Sequence, residues 1–407
     1  MPAVTKSDTM SLMPRVHMML QAIPLVTSAM PTAAGASRTE ATLTQALVMA
    51  RGAFWDGHAV IEGVANAEGL AMADGELNTG AYGEGFVDRR HPHAYLHELV
   101  ATGLGALGLL SLSATAGRGF APFGTDDPMM RPLVKYPVNH HLAQVLERSL
   151  FSVAARLGPV IGEAGMFGGD EPTSPSSLPR AARFGDSWSA RLMALPASGV
   201  EVQGSLAHVA SPEEASGFGL DQRKQSYSAR AITGDGARYL LVEWARTVER
   251  DHDRNQDAFA HESALAEGAI QARRLGLALR LEQTDRPEEE RLADPSRTAR
   301  PAHDLSISGI TRWRVMTVHG RFAPVTAGSV SGYPFLEVAR LWATPHDERT
   351  VFQPAQFYGT TRFWMLTAGV RLRAGGAHSR MGRYGVALAD GPAIRVMGES
   401  SNSHHEH

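Results

Sequence analysis

Segments of about ten residues, one after another, alternate apolar and polar side chains with a period of two, the pattern of strands buried on one face. Leu275, Leu277, Leu279 and Leu281 share a face opposite Arg280 and Glu282. Trp364, Leu366, Ala368, Val370 and Leu372 oppose Met365, Thr367, Arg371 and Arg373. Trp188, Ala190, Leu192 and Ala194 face away from Ser187, Ser189 and Arg191. In the same way Ile307, Gly309, Thr311, Trp313 and Val315 read as one face, opposite Ser308, Arg312 and Arg314. Between Val200 and Ala210 the register slips, which reads as a bulge. No stretch carries a convincing helical period.

The connections constrain the fold further. Short turns fall at Asp56-Gly57, Leu157 to Pro159, Pro196 to Gly199, Gly234 to Gly236 and Arg273-Arg274. Between them lie long polar segments at 29–44, 70–94, 118–140, 170–185, 210–223, 249–260, 285–303 and 344–360. Short turns on one side and long loops on the other are the signature of a transmembrane antiparallel β-barrel, with short periplasmic turns and long extracellular loops. Backbone groups in lipid must be paired within the protein, so only a closed barrel lets strands span a bilayer. Counting from residue 16 gives about sixteen strands, within a range of ~14–18, and an even number puts both ends of the barrel on the periplasmic side. The expected organisation is a disordered segment 1–15, a barrel over 16–375 and a largely irregular C-terminal tail over 376–407. The connection from His319 to Gly332 is too long for an ideal periplasmic turn.

Composition narrows the partners. The net charge is −3 with pI 6.6, so there is no basic excess to bind nucleic acid. The lysines are Lys6, Lys135 and Lys224, and the other 36 of the 39 basic residues are arginine, which reads first as genome bias. Cysteine is absent, which removes disulfides, Cys-ligated zinc, iron–sulfur clusters and thiol nucleophiles. Leu99 to Gly117 is free of charge, but its Gly103-Leu-Gly105-Ala-Leu-Gly108 centre and its alternating second half predict two strands around a tight turn, not a membrane helix. Val16 to Ala36 is also uncharged and ends Ala34-Gly35-Ala36, as a signal peptide does. Asp8, the long polar lead-in and Pro24 speak for a first strand instead, and so does parity, because removing 1–36 leaves fifteen strands.

Arg and Glu recur at regular positions read as inward-facing: Arg191, Glu201, Arg230, Glu243, Arg280, Glu282, Arg312, Arg314, Glu337, Arg371 and Arg373. In a soluble β-sandwich the same residues would form the solvent face, and that alternative stays open. A propeller would show blade repeats, which the sequence lacks. The tryptophans Trp55, Trp188, Trp244, Trp313, Trp342 and Trp364 all fall on predicted strands, suited to interfacial girdles or to a sandwich core.

The densest chemical cluster is Asp88-Arg89-Arg90-His91-Pro92-His93, followed by His97 and Glu98. The 118–140 loop contains Asp126 and ends at His140-His141, and both loops lead into strands from the long-loop side. Two readings follow. Asp88, Arg89 and Asp126 pin a hydrogen-bonded constriction inside the pore, or His91, His93, His97, His140 and His141 hold a divalent metal. The chain has neither a His-Glu-x-x-His helix motif nor a Gly-x-Ser-x-Gly elbow, and Asp186-Ser187 lacks a placed histidine, so no catalytic residues are assigned. The end Ser403-His404-His405-Glu406-His407 is a weak chelator or a free end.

The run Gly83 to His93 (GEGFVDRRHPH) resembles a segment of uncharacterised, porin-like outer-membrane β-barrel proteins of Gram-negative bacteria. So do Phe120 to Met129 (FAPFGTDDPM), Tyr136 to His141 (YPVNHH), Gly169 to Pro172 and Asp186 to Ser189, in the same order and over most of the chain. The resemblance implies location and architecture and brings no activity with it. Two features depart from it: no convincing signal peptide precedes residue 16, and the terminal aromatic residue of many such barrels is missing. The expectation is a porin-like barrel in the outer membrane, a monomer or trimer surrounded by lipid and lipopolysaccharide, passing or binding small polar solutes. A metal-binding barrel or barrel enzyme and a soluble β-rich periplasmic protein are the alternatives. Acidic loops such as Ser211 to Glu214 and Arg286 to Arg291 are solvated charge or, through divalent cations, a bridge to lipopolysaccharide.

Overall fold

The structure, a computed structural model, describes residues 15–30, 37–71, 94–172, 174–178, 180–214, 216–289, 307–346, 350–376 and 380–388. Among these, seventeen strands run β1 (Arg15–Met30), β2 (Arg38–Phe54), β3 (Ala59–Asn66), β4 (Leu96–Leu107), β5 (Leu110–Gly119), β6 (Arg148–Leu157), β7 (Val160–Gly168), β8 (Phe184–Ala197) and β9 (Val200–Val209). They continue as β10 (Asp221–Ile232), β11 (Arg238–Asp251), β12 (Gln256–Ala272), β13 (Leu275–Glu289), β14 (Ile307–Arg321), β15 (Val325–Ala327), β16 (Val330–Pro345) and β17 (Arg362–Gly375). Each pairs antiparallel with its sequence neighbour, and β1 pairs with β17 through Met19↔Gly375 to Met30↔Trp364, which closes the sheet. β15 is a three-residue hairpin arm on the start of β16, and β14 pairs directly with β16, so sixteen staves make the wall. That small hairpin accounts for the long connection after His319.

The closing stave β1 lies within the stretch weighed above as a leader; it is a barrel strand, with a register shift between Gln21 and Ile23 just ahead of Pro24, whose missing N–H such an irregularity accommodates. Leu99 to Gly117 forms β4 and β5 around the turn at Gly108, where φ is +61°. β9 is regular; the slip near it lies in β8, between Ala194 and Ala197 around Pro196.

One face of almost every stave is apolar and exposed. Leu277, Leu279, Leu281, Leu336, Leu366 and Val318 point outward, the surface a barrel presents to hydrocarbon. Trp188, Trp364 and Phe184 stand exposed near the long-loop ends, with Arg340 stacked over Trp364 at 4.4 Å. Trp55 is exposed at the opposite rim, in the β2–β3 turn and not on a strand as expected.

β14 corrects the sequence reading. Trp313 and Val315 point into the barrel, Trp313 at 0% exposure, whereas Arg312 and Arg314 point out. Arg312 pairs with Asp285 at the long-loop rim and Arg314 donates to Gln283, so neither lines the lumen. A one-residue change of register moves every side chain to the other face. The physical reason is that this lumen has apolar content of its own. Trp313 packs against Phe363 and Tyr358, with centroids 5.5 and 6.3 Å apart, and Tyr358 ends a short helix (Pro354–Tyr358) in the connection between β16 and β17. Polarity alone therefore does not tell inside from outside here. Trp313→Ala is expected to lower stability by about 3–5 kcal/mol, the cost of truncating a buried aromatic. Trp364→Ala, on the lipid side, should cost far less; thermal unfolding in detergent compares the two.

Candidate functional site

The connection between β5 and β6 runs inward and fills the middle of the barrel. From Phe120 to Arg148 every residue whose side chain is described is buried. Gly124 makes the fold-back possible: its φ is +68°, and a Cβ there would collide with the Ala143 carbonyl. A 3₁₀ turn, Pro128–Met130, is capped by Asp127, whose Oδ1 accepts from the Met129 amide at 2.7 Å.

The wall holds this loop by its backbone. Glu337 on β16 accepts from the amides of Val134 and Lys135, both at 3.0 Å, and from His319 Nδ1 at 3.0 Å. Glu282 on β13 accepts from the Val138 amide at 2.7 Å, and Arg280 donates to the Lys135 carbonyl at 2.6 Å while paired with Glu267. Glu243 on β11 adds side-chain contacts, accepting from Asn139 Nδ2 at 2.7 Å and from the Thr125 hydroxyl. Loop amides buried against the wall need partners there, and charged acceptors satisfy them more strongly than neutral ones. Arg280, Glu243 and Glu282 are thus buried against the loop and clamp it. Arg371 and Arg373 also face inward, where Arg371 reaches the Pro132 carbonyl at 3.5 Å and Arg373 donates to Gln21 at 2.9 Å. Apolar side chains hold the loop as well: Val134 and Val138 pack with Ile23, Leu25 and Trp313.

A second segment shares the lumen. Residues 380–388 of the tail lie on the inner side of β4–β9, toward the short-turn end, with one short 3₁₀ turn at Gly385–Leu388. Met381 and Ala387 are wholly buried, and Tyr384 donates to Glu98 at 2.8 Å and accepts from the Phe120 amide at 2.9 Å. Its two arginines meet the loop and wall at two carboxylates. Asp126 takes a bidentate pair from Arg380 (2.9 and 2.7 Å), a bond from Arg230 at 2.7 Å and one from Arg383 at 3.2 Å. Glu201 takes Arg380 at 2.9 Å, Arg383 at 3.1 Å and Arg230 at 3.3 Å. Behind them Arg191 pairs with Glu163 and donates to the carbonyls of Gly124 and Gly382, both at 3.2 Å. Burial pushes the Asp126 carboxyl up, but Arg380, Arg230 and Arg383 together hold it well below the usual carboxylate range. Burial first, then the Arg191 charge, push Arg383 down to about 10, so it is a cation at neutral pH.

Of the sequence-derived site residues, Asp126, Arg191, Glu201 and Arg230 thus meet in one network, and nothing in the sequence reading linked them to the tail. The tail carried a signal: Met381, Tyr384, Val386, Ala387 and Leu388 around two arginines are too apolar for a solvated end. Asp88, Arg89, His91 and His93 lie outside the described residues, as does the His141 side chain. His97, at the start of β4, and His140, in the inward loop, do reach one region around Asp127. His97 Nδ1 lies 2.6 Å from Glu147, and His140 Nε2 lies 3.7 Å from Asp127, whose carboxyl burial raises but His140 beside it brings below its ordinary value. Among the described residues no three His, Asp or Glu side chains converge as a metal ion requires.

No protein-family model and no curated protein matches the sequence. Solved structures do share the architecture. An anion-selective porin from Comamonas acidovorans superposes with a TM-score of 0.52 at 11% identity, over 89% of this chain and 100% of the other. The outer membrane channel DcaP of Acinetobacter baumannii gives 0.50 at 8% identity, over 89% and 96% of the two chains. The fold is that of the porin-like outer-membrane barrels.

Proposed function

We propose that this protein sits in the bacterial outer membrane and passes small polar or ionic solutes through its lumen, and that the arrangement described here is its closed state. The observation that carries the reading is the contrast between the two sides of one wall. Outside, exposed Leu, Val and Trp form the surface that lipid requires. Inside, ion-paired Arg, Asp and Glu surround a loop folded to mid-lumen. A purely structural barrel has no need of so many charges in its interior, because buried ion pairs are weak stabilisers compared with apolar packing. Mixed-sign charge at a constriction orients and selects polar solutes. The long-loop rim carries mixed charge, with Asp186 paired to Arg183 at 2.8 Å and Asp251 to Arg254 at 2.5 Å, and we take it as the face toward lipopolysaccharide.

Planar-bilayer recording of the folded protein tests the channel. Discrete current steps are expected, rare in the full chain because loop and tail occupy the lumen. If neither the full chain nor a chain ending at Gly376 gives any steps, the channel reading fails.

A further inference from the structure

The Asp126–Glu201 pair is built to hold guanidinium groups, and the chain fills it with its own. Arg383 is coordinated on all sides, by Asp126 from the loop, Glu201 and Gln203 from β9 (3.1 and 2.7 Å) and Met193 Sδ from β8 at 2.7 Å. Arg380 lies fork to fork on Asp126, with Glu201 completing its set. Planar, bidentate geometry of this kind discriminates guanidinium from a point-charge ammonium. Charge makes the site one that must be refilled. With the tail in place, Arg191, Arg230, Arg380 and Arg383 face Asp126, Glu163 and Glu201. Without Arg380 and Arg383, three carboxylates face two arginines, and the cradle lacks a cation.

We propose that this cradle is a guanidinium-binding site of the lumen, occupied at rest by Arg380 and Arg383, and that a guanidinium-bearing solute competes with the tail for it. The tail is then a resident surrogate for the solute, and its release both unblocks the lumen and exposes the site. The proposal rests on the channel reading, since an external solute must reach mid-lumen.

The test uses the full chain and the R380A/R383A double variant, with L-arginine as probe and L-lysine as control at matched ionic strength. In bilayers the double variant should open more often than the full chain. L-arginine should interrupt its current about tenfold more strongly than L-lysine. In detergent, L-arginine should raise the unfolding midpoint of the double variant and leave the full chain unmoved. Equal opening of the two chains overturns the tail's role while leaving the channel reading intact. Equal effects of arginine and lysine, or no midpoint shift, overturn the guanidinium site. If neither chain conducts, the channel reading fails, and the midpoint shift still decides the site.

Discussion

Asp126→Ala is expected to be among the most damaging single substitutions in the lumen, lowering stability by about 3–5 kcal/mol, because it removes one partner of a buried charge network and leaves the others behind. Arg230 and Arg380 would then keep Glu201 as their close carboxylate, and Arg383 would keep Glu201 and, at 3.9 Å, Glu163. The measurement is thermal unfolding of the detergent-folded protein together with limited proteolysis, which should cut the tail of the variant first. The pH dependence has a definite sign. A carboxyl held below its unfolded value contributes its full stabilisation above that value and loses it as pH falls through the folded one. For Asp126 the folded value lies well below the usual carboxylate range. The pairing of Asp126 with the tail arginines should therefore be insensitive to pH from neutral to mildly acidic solution and weaken only in strong acid. Tail release between neutral and mildly acidic pH would contradict this.

Glu337→Ala is the second large effect. Its carboxylate serves two consecutive loop amides and His319. Removing it strands two buried N–H groups, each costing about 1–3 kcal/mol. The loop can avoid that cost only by leaving the wall toward water, so the lumen should widen. Larger current steps in bilayers and faster amide exchange at Val134 and Lys135 are the expected results. Unchanged conductance together with unchanged exchange would show that the apolar face of the loop, on Ile23, Leu25 and Trp313, holds it without the carboxylate.

The wall was legible in the sequence and most of its contents were not. Period-two alternation places Leu277, Leu279 and Leu281 on the lipid face and Arg280 and Glu282 inside, because in those strands polarity and side coincide. In β14 they part company. The inward Trp313 packs on Tyr358 and Phe363, partners that arrive from a distant loop and the last strand, and no local pattern encodes that meeting. The role of the inward charges was hidden for a similar reason. Glu243 and Glu282 read as pore lining because a strand shows only that a carboxylate faces in, not that a loop more than a hundred residues away brings its donors there. The tail's place depends on contacts from Arg380 and Arg383 to Asp126 across more than two hundred and fifty residues.

The central claim is a lipid-facing barrel whose interior is filled. It is tested most directly by a single-cysteine scan of β17, straightforward in a chain without native cysteine. Spin labels at 364, 366 and 368 in reconstituted protein should collide with lipid-soluble oxygen. Labels at 365, 367 and 371 should be shielded from both oxygen and a water-soluble relaxant. Loss of the alternation would contradict the barrel in lipid, and free access of the water-soluble relaxant to 365, 367 and 371 would contradict the filled lumen.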